Sequence, residues 1–352
     1  MDERGRMVGR MVPKQVLPSH AEKEGPMKRF VLLIAFLSLM AYGPLIGVPS
    51  LQAQPYPNHP IQLIVPNVAG AAMDILARIL AEDMGKVLGV QIIPMNKPGG
   101  GTVLGTDAVA RSKKDGYTLG YVSNGALINA PIINPESVSY DPLRDLEPLG
   151  LHIFFPLAIA VQESSPWKTF GEWIDYAKKN PGKIRVSTMG LGSAPHFNLE
   201  IIQSLTGAQL THVPFKGGES VITAVLGGHV EATSDQIAKI IPHLETGKMR
   251  VLLVSKKSLK YPNIPTMTEL GYKEELLSGW FGVFAPAGLP DDVKRVLSLA
   301  IEKAIRNPEA RARIEKMEGF FVDYKSPAEV KKYIVEESEK DLAIALKLGL
   351  RK

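Results

Sequence analysis

The chain has 352 residues, of which 45% are apolar and 22% charged, with a formal net charge of +5; that length suits one large domain or two medium ones, each able to bury a core. Residues 1–53 hold seven Lys/Arg against four Asp/Glu, leaving 34 of the 41 basic and 32 of the 36 acidic residues to the rest, a balance that excludes a nucleic-acid-binding charge pattern. The absence of cysteine excludes disulfides, thiolate metal sites, a cysteine nucleophile and a lipid anchor on an N-terminal cysteine.

Met27-Lys28-Arg29 precede an apolar run over 30–41, which Gly43-Pro44 and Val48-Pro49-Ser50 then break. The run is shorter than the roughly 20 residues a membrane-spanning helix needs. Leu51-Gln52-Ala53 ends on a small residue ahead of Gln54-Pro55-Tyr56-Pro57. The pattern predicts an N-terminal extension and cleavable signal peptide over 1–53, export to the periplasm, and a mature chain from Gln54. An uncleaved anchor is the alternative, and Met27 competes with Met1 as the start.

Strands are expected at 61–65, 91–93 and 118–122, with helices at 75–88 and 103–110. Repeated βα units imply a mostly parallel sheet covered by helices. Residues 126–150 are rich in Pro and Asn and lack periodicity. Residues 151–161 form a long apolar strand suited to crossing between lobes. A second βα series follows, with strands at 184–188, 210–213, 230–233 and 250–254 and helices at 169–179, 196–205, 220–226 and 236–245. A strand at 279–284 ends at Pro286-Ala287-Gly288, and the C-terminal 65 residues are expected to be helical at 291–306, 308–317 and 327–348. The organisation is two βα lobes with a ligand cleft between them, 54–152 plus 279–352 forming one and 153–278 the other.

Ligands of open α/β sheets sit beyond the carboxyl ends of the strands, so the loops there are the candidate chemistry. The first contains Asn67, Val68, Gly70, Ala71, Met73 and Asp74; its small residues let backbone N–H groups approach a ligand, and it opens into a helix whose N-terminus favours an anion. The plainer reading makes Asp74 a helix cap. The second, Asn96-Lys97-Pro98-Gly99-Gly100-Gly101-Thr102, lacks the Gly-Lys-Ser/Thr of a phosphate loop, and Leu104 stands where a dinucleotide fingerprint needs its third glycine. The third is Ser123-Asn124-Gly125. In the second lobe, Thr188, Gly190, Gly192, Ser193 and His196 form a Gly-rich loop opening a helix, Lys216 and Gly217 follow the next strand, and Asp235 and Gln236 the one after. Together they offer hydroxyls, amides, one lysine and many N–H groups, an oxyanion-friendly cleft. Lys216 is either a carboxylate partner or a solvated surface lysine.

His20, His59, His152, His196, His212, His229 and His243 include no His-Glu-x-x-His arrangement, and no Gly-x-Ser-x-Gly elbow occurs. His196 with Asp235 and either Ser193 or Ser234 is the one hydrolase-like set, and a helix-start histidine making a local hydrogen bond competes with it.

Taken in order, these segments resemble the Bug family, the extracytoplasmic solute receptors of tripartite tricarboxylate transporters. The resemblance is carried by Tyr56-Pro57-Asn58-His59-Pro60-Ile61, Asn96-Lys97-Pro98-Gly99-Gly100-Gly101, Asp115-Gly116-Tyr117-Thr118-Leu119, Tyr140-Asp141-Pro142-Leu143-Arg144-Asp145, His212-Val213-Pro214-Phe215-Lys216-Gly217, Trp280-Phe281-Gly282 and Ala285-Pro286-Ala287-Gly288. It implies an α/β, type II periplasmic-binding-protein fold whose lobes close on ligand. It also implies a ligand carboxylate gripped by loop N–H groups, hydroxyls and water, and delivery to a two-component membrane carrier. A monomer with no metal, cofactor or catalysis is expected. The first loop departs from the family pattern: Ala71 replaces a glycine and Met73 a hydroxyl residue. Met73 would add adaptable apolar surface, pointing to an aromatic or medium-chain carboxylate. An exported hydrolase and a ligand sensor for a membrane kinase are the competing functions.

Overall fold

The structure is a computed structural model that describes residues 55–190, 193–215, 218–257 and 260–347, together with Met27, Phe30, Val31, Ile34, Gly349 and Arg351. The expected extension and signal peptide, including the cleavage point after Ala53, lie outside the described residues except for those four, which are helical. Among the described residues no helix is long and apolar enough to cross a membrane. Pro55–Lys352 forms a compact unit of its own.

The first lobe opens with β1 (Ile61–Val65), whose side chains alternate between buried and more exposed. Helix α1 (Ala72–Leu88) buries Met73, Leu76, Ala77, Leu80 and Met84 along one stripe. It stops at Gly89, which adopts φ +71° and donates its N–H to the Gly85 carbonyl, a left-handed cap that glycine accepts without strain. Then come β2 (Ile92–Asn96), α2 (Val103–Ala110), β3 (Thr118–Ser123), a π-helical turn (Gly125–Asn129), α3 (Ala130–Ile133) and β4 (Leu146–Phe155). The second lobe comprises β5 (Leu157–Gln162), α4 (Phe170–Lys179), β6 (Ile184–Thr188), α5 (Ala194–Thr206), β7 (Leu210–Pro214), α6 (Gly218–Leu226), β8 (Ala232–Gln236), α7 (Ile237–Glu245) and β9 (Met249–Val254). The chain returns to the first lobe through β10 (Gly279–Pro286), α8 (Asp291–Ile305), α9 (Pro308–Glu315), β11 (Phe321–Lys325) and α10 (Pro327–Lys347).

Two sheets result, ordered β11-β4-β10-β3-β1-β2 and β7-β6-β8-β5-β9. They are mixed rather than mostly parallel. β1 is parallel to β2 and β3, and β6 to β7 and β8, but β10 is antiparallel to β3 and β4, and β5 to β8 and β9. The reason is that β5 and β10 each arrive from the other lobe, without the crossover helix that returns a chain to parallel pairing.

The single strand expected at 151–161 is two strands. Pro156, with no N–H to donate to a ladder, separates β4 in the first sheet from β5 in the second. The first sheet therefore continues to Phe155, beyond the expected boundary at 152. Residues 126–150 contain the π-helical turn and α3 where no periodicity was expected. The C-terminal region is not wholly helical, because β11 adds an edge strand antiparallel to β4. β8 begins at Ala232, two residues later than expected, so Asp235 and Gln236 end a strand instead of lying in a loop.

Polar side chains staple the segments passing between lobes. Asn198 brackets Leu277, donating to its carbonyl (3.0 Å) and accepting from its N–H (2.7 Å). The Ser255 hydroxyl accepts from Leu157 N–H (2.9 Å) and lies 2.8 Å from the Ser278 hydroxyl.

Candidate ligand-binding site

β1, β2 and β3 run parallel, so the loops after them gather at one end of the first sheet. Asp74 holds the first loop in shape. One carboxylate oxygen accepts from Gly70 N–H (2.9 Å) and Arg78 Nε (3.0 Å), the other from Asn96 Nδ2 (2.9 Å). Asn96 also donates to the Asn67 carbonyl (3.0 Å), tying the second loop's root to the first. Burial raises the Asp74 pKa, but the hydrogen bonds from Arg78, Gly70 and Asn96, with the Arg78 charge, outweigh it and hold the carboxyl below its ordinary value. In this structure Asp74 holds its own loop together. It is not the cap: Ala71 occupies that position and supplies no side-chain hydrogen bond, so the first-turn N–H groups of Ala72, Met73 and Asp74 have no capping side chain. Asn67 Oδ1 accepts from Val68 N–H (2.8 Å), while Val68, Gly70 and Ala71 stand at the surface or half-buried, with Gly70 at φ +81°.

Met73 is only 2% exposed and belongs to the apolar cluster beneath α1, so it offers a ligand almost no surface. The expectation of an apolar Met73 wall fails because the helical stripe that places Leu76 and Ala77 in the core includes Met73 as well.

The second and third loops meet where Thr102 Oγ1 lies 3.0 Å from Ser123 Oγ. Gly105, not the glycine absent at position 104, makes the close approach: a Cβ there would stand 2.7 Å from the Lys97 carbonyl and from Pro66 Cβ. Asn124 is spent on the strand returning from the second lobe, donating to the Ser278 carbonyl (3.1 Å) and accepting from Trp280 N–H (3.3 Å). Gly125 beside it is half-buried.

In the second lobe the loops converge on Thr188 and Gly190. The fully buried Thr188 hydroxyl lies 2.6 Å from His212 Nε2, and the Thr188 carbonyl accepts from Phe215 N–H (2.9 Å). Gly190 adopts φ +123°, which disfavours any side chain. Ser193 caps α5: its hydroxyl donates to the Gly190 carbonyl (2.8 Å) and accepts from His196 N–H (3.4 Å). His196 is buried and stacked on His212, ring centroids 4.1 Å apart at 22°. Burial and the His212 charge pull its pKa down to about 4, and burial lowers His212 too, so the pair is neutral at neutral pH. Asp235, fully buried, accepts from Gln236 N–H (2.7 Å) and from Lys239 Nζ (3.2 Å to each oxygen). Lys239 also reaches Met189 Sδ at 3.4 Å, joining α7 to the Thr188–Gly190 corner. Asp235 is therefore held by Lys239 at a buried strand end, and His196 lies 3.6 Å from Glu200. Gly192, Lys216 and Gly217 lie outside the described residues.

Arg78, Asn96, Thr102, Gly105 and Lys239 shape these loops, and the sequence reading missed their roles. The i, i+4 spacings Asp74–Arg78 and Asp235–Lys239 were the available signal. Ala194, the first residue of α5, packs against the first lobe's apolar cluster. Among the described residues no group of His, Asp and Glu is arranged to hold a metal ion.

Two α/β lobes joined by paired crossings define a periplasmic-binding-protein fold. The chain belongs to the tripartite tricarboxylate transporter family receptors, whose TctC family model matches residues 76–350. Among its relatives are a UPF0065 protein of Cupriavidus necator (34% identical, covering 86% of this chain and 91% of the relative) and BugT of Bordetella pertussis (31%, covering 85% and 92%). Similar solved structures include an R. palustris protein with adipate (25% identical, TM-score 0.74, covering 84% and 98%) and MatC from Rhodopseudomonas palustris with bound malate (26%, 0.71, covering 82% and 99%).

Proposed function

We propose that this receptor captures a small dicarboxylate between its lobes and delivers it to a two-component membrane carrier, without transforming it. The observation that carries the reading is the chemistry of the converging loops. Their buried carboxylates are internally paired, Asp74 with Arg78 and Asp235 with Lys239. The start of α1 offers uncapped backbone N–H groups, and the Ser123 hydroxyl shares its end of the sheet with Thr102. Such donors suit a carboxylate and supply neither a nucleophile with its base nor a metal. The relatives solved with malate and adipate favour dicarboxylates of four to six carbons, adipate being the medium-chain end of the range. The lobes exchange chain at Pro156 and just before Gly279, and closure is a hinge motion about those crossings. Export by a signal peptide cleaved after Ala53, and action as a monomer, complete the proposal.

The test is a thermal-shift screen of residues 54–352 against mono-, di- and tricarboxylates, aromatic acids and amino acids. A ligand at about 100 times its dissociation constant adds roughly 2.7 kcal/mol. Selective stabilisation by C4–C6 dicarboxylates, recovered chemically unchanged, is expected. Stabilisation only by uncharged ligands overturns the anion reading, and turnover of the bound acid overturns the receptor reading in favour of a hydrolase.

A further inference from the structure

Away from the cleft, α10 packs against β4, α3 and the π-helical turn. Asp341 of α10 and Asn129 of the turn are each 3% exposed, and Asn129 Nδ2 donates to Asp341 Oδ2 at 3.2 Å. Each group has one atom left over: Asn129 Oδ1 and Asp341 Oδ1 are buried with no hydrogen-bond partner. Two orphaned acceptors in two groups already joined by one bond are costly if Asp341 is ionised, since each forfeits its hydration. One proton removes both defects, because a protonated Oδ1 becomes a donor and the amide oxygen its acceptor.

We propose that a proton on Asp341 closes a two-hydrogen-bond acid–amide pair with Asn129, and that this pair pins the last helix to the turn carrying the Ser123–Gly125 ligand loop. The charged surroundings agree. On its own helix Asp341 faces Glu337, which accepts from Trp280 Nε1 of β10 (2.7 Å), and Lys340, with Tyr333 also in the group. β11 contributes Asp323, which bears on Tyr333, and Lys325, 3.7 Å from Asp323. The titratable groups of β4 are committed elsewhere, Glu147 to Lys294 and His152 to Tyr121. The turn and α3 carry no titratable residue. Burial, then the Glu337 charge, push Asp341 up to about 7 despite Lys340 and the Asn129 hydrogen bond.

A folded-state value raised above the ordinary 3.8 means that folding takes up a proton between the two. The stability from this pair is full below about pH 3.8 and is lost as pH rises through about 7.

Asp341→Asn supplies the second donor permanently. Its melting midpoint is expected to gain on that of the native chain by about 2–6 °C between pH 5 and pH 8.5. A variant that melts lower at both pH values, or an offset that does not grow with pH, overturns the proposal. A second measurement does not depend on that variant: carbon-13 titration of the side-chain carboxyls of a chain labelled only at aspartate, in an Asp235→Asn background that removes the other buried aspartate with a raised value. A remaining carboxyl still protonated at pH 6 supports the pair, and the absence of one refutes it.

Discussion

The two lobes place a buried aspartate beside their ligand loops and treat it in opposite ways. Asp74 and Asp235 are 2% and 0% exposed, and each has a basic residue four positions later. Asp74 receives hydrogen bonds from a backbone N–H, a guanidinium and an amide, and its pKa is held below 3.8. Asp235 receives one backbone N–H and a longer contact to Lys239, and burial, the largest influence, pushes it above 3.8. Burial alone does not set the charge state of a carboxyl; the number and geometry of its donors do. The first lobe's loops are tied together by charged side chains, while the described second-lobe contacts around Thr188 and Gly190 come from backbone turns and neutral groups.

The sharpest way to break the comparison is Gly105→Ala. Its Cβ would meet the Lys97 carbonyl at 2.7 Å and Pro66 Cα at 2.9 Å, both backbone, so relief requires moving the loops apart. A loss of about 3 kcal/mol in urea unfolding is expected, with weakened ligand binding. Next comes Asp74→Asn, which retains an acceptor but turns an amide group toward donors. A loss of about 2 kcal/mol at pH 7 is expected, tempered because the Arg78 side chain is 49% exposed and partly screened. Because the folded value is depressed, this stabilisation is present above about pH 3.8 and lost as pH falls through the folded value, so the deficit should shrink in acid-unfolding curves. The smallest effect belongs to Asp235→Asn, at most about 1 kcal/mol at pH 7. The amide still accepts from Gln236, and Lys239, with its side chain 32% exposed, can turn to water. Here the sign reverses: Asp235's raised value makes its contribution fade as pH rises, so the variant should gain on the native chain as pH rises from 3.8 through the folded value. An acid dependence of the same sign for both variants would refute the contrast.

Much of this architecture was legible in the residues. The alternation of Ile61-Gln62-Leu63-Ile64-Val65 predicts β1 over its full length, and the stripe from Met73 to Met84 predicts α1 apart from its first turn. Pro156 was hidden inside an apolar run that reads as continuous, since hydrophobicity does not register a missing N–H. β11, Phe321-Val322-Asp323-Tyr324-Lys325, was overlooked among helical segments because its strand state comes from the exposed edge of β4, supplied by residues far away in the chain. The positions of the loops were readable from strand ends, but the commitments of their side chains were not. Whether Asn124 faces a ligand or Ser278, or Met73 a cleft or a core, depends on packing between distant segments.

The strand order has a consequence for how the molecule comes into being. The second sheet is assembled wholly from residues 157–254, a contiguous stretch, whereas the first needs β10 and β11, starting at Gly279 and Phe321, to bridge and edge strands laid down before residue 156. A chain delivered N-terminus first can therefore complete the middle lobe while the opening one still waits, its β3 and β4 unpaired along the edges that β10 will fill. The half of the molecule that emerges first is the half that finishes last.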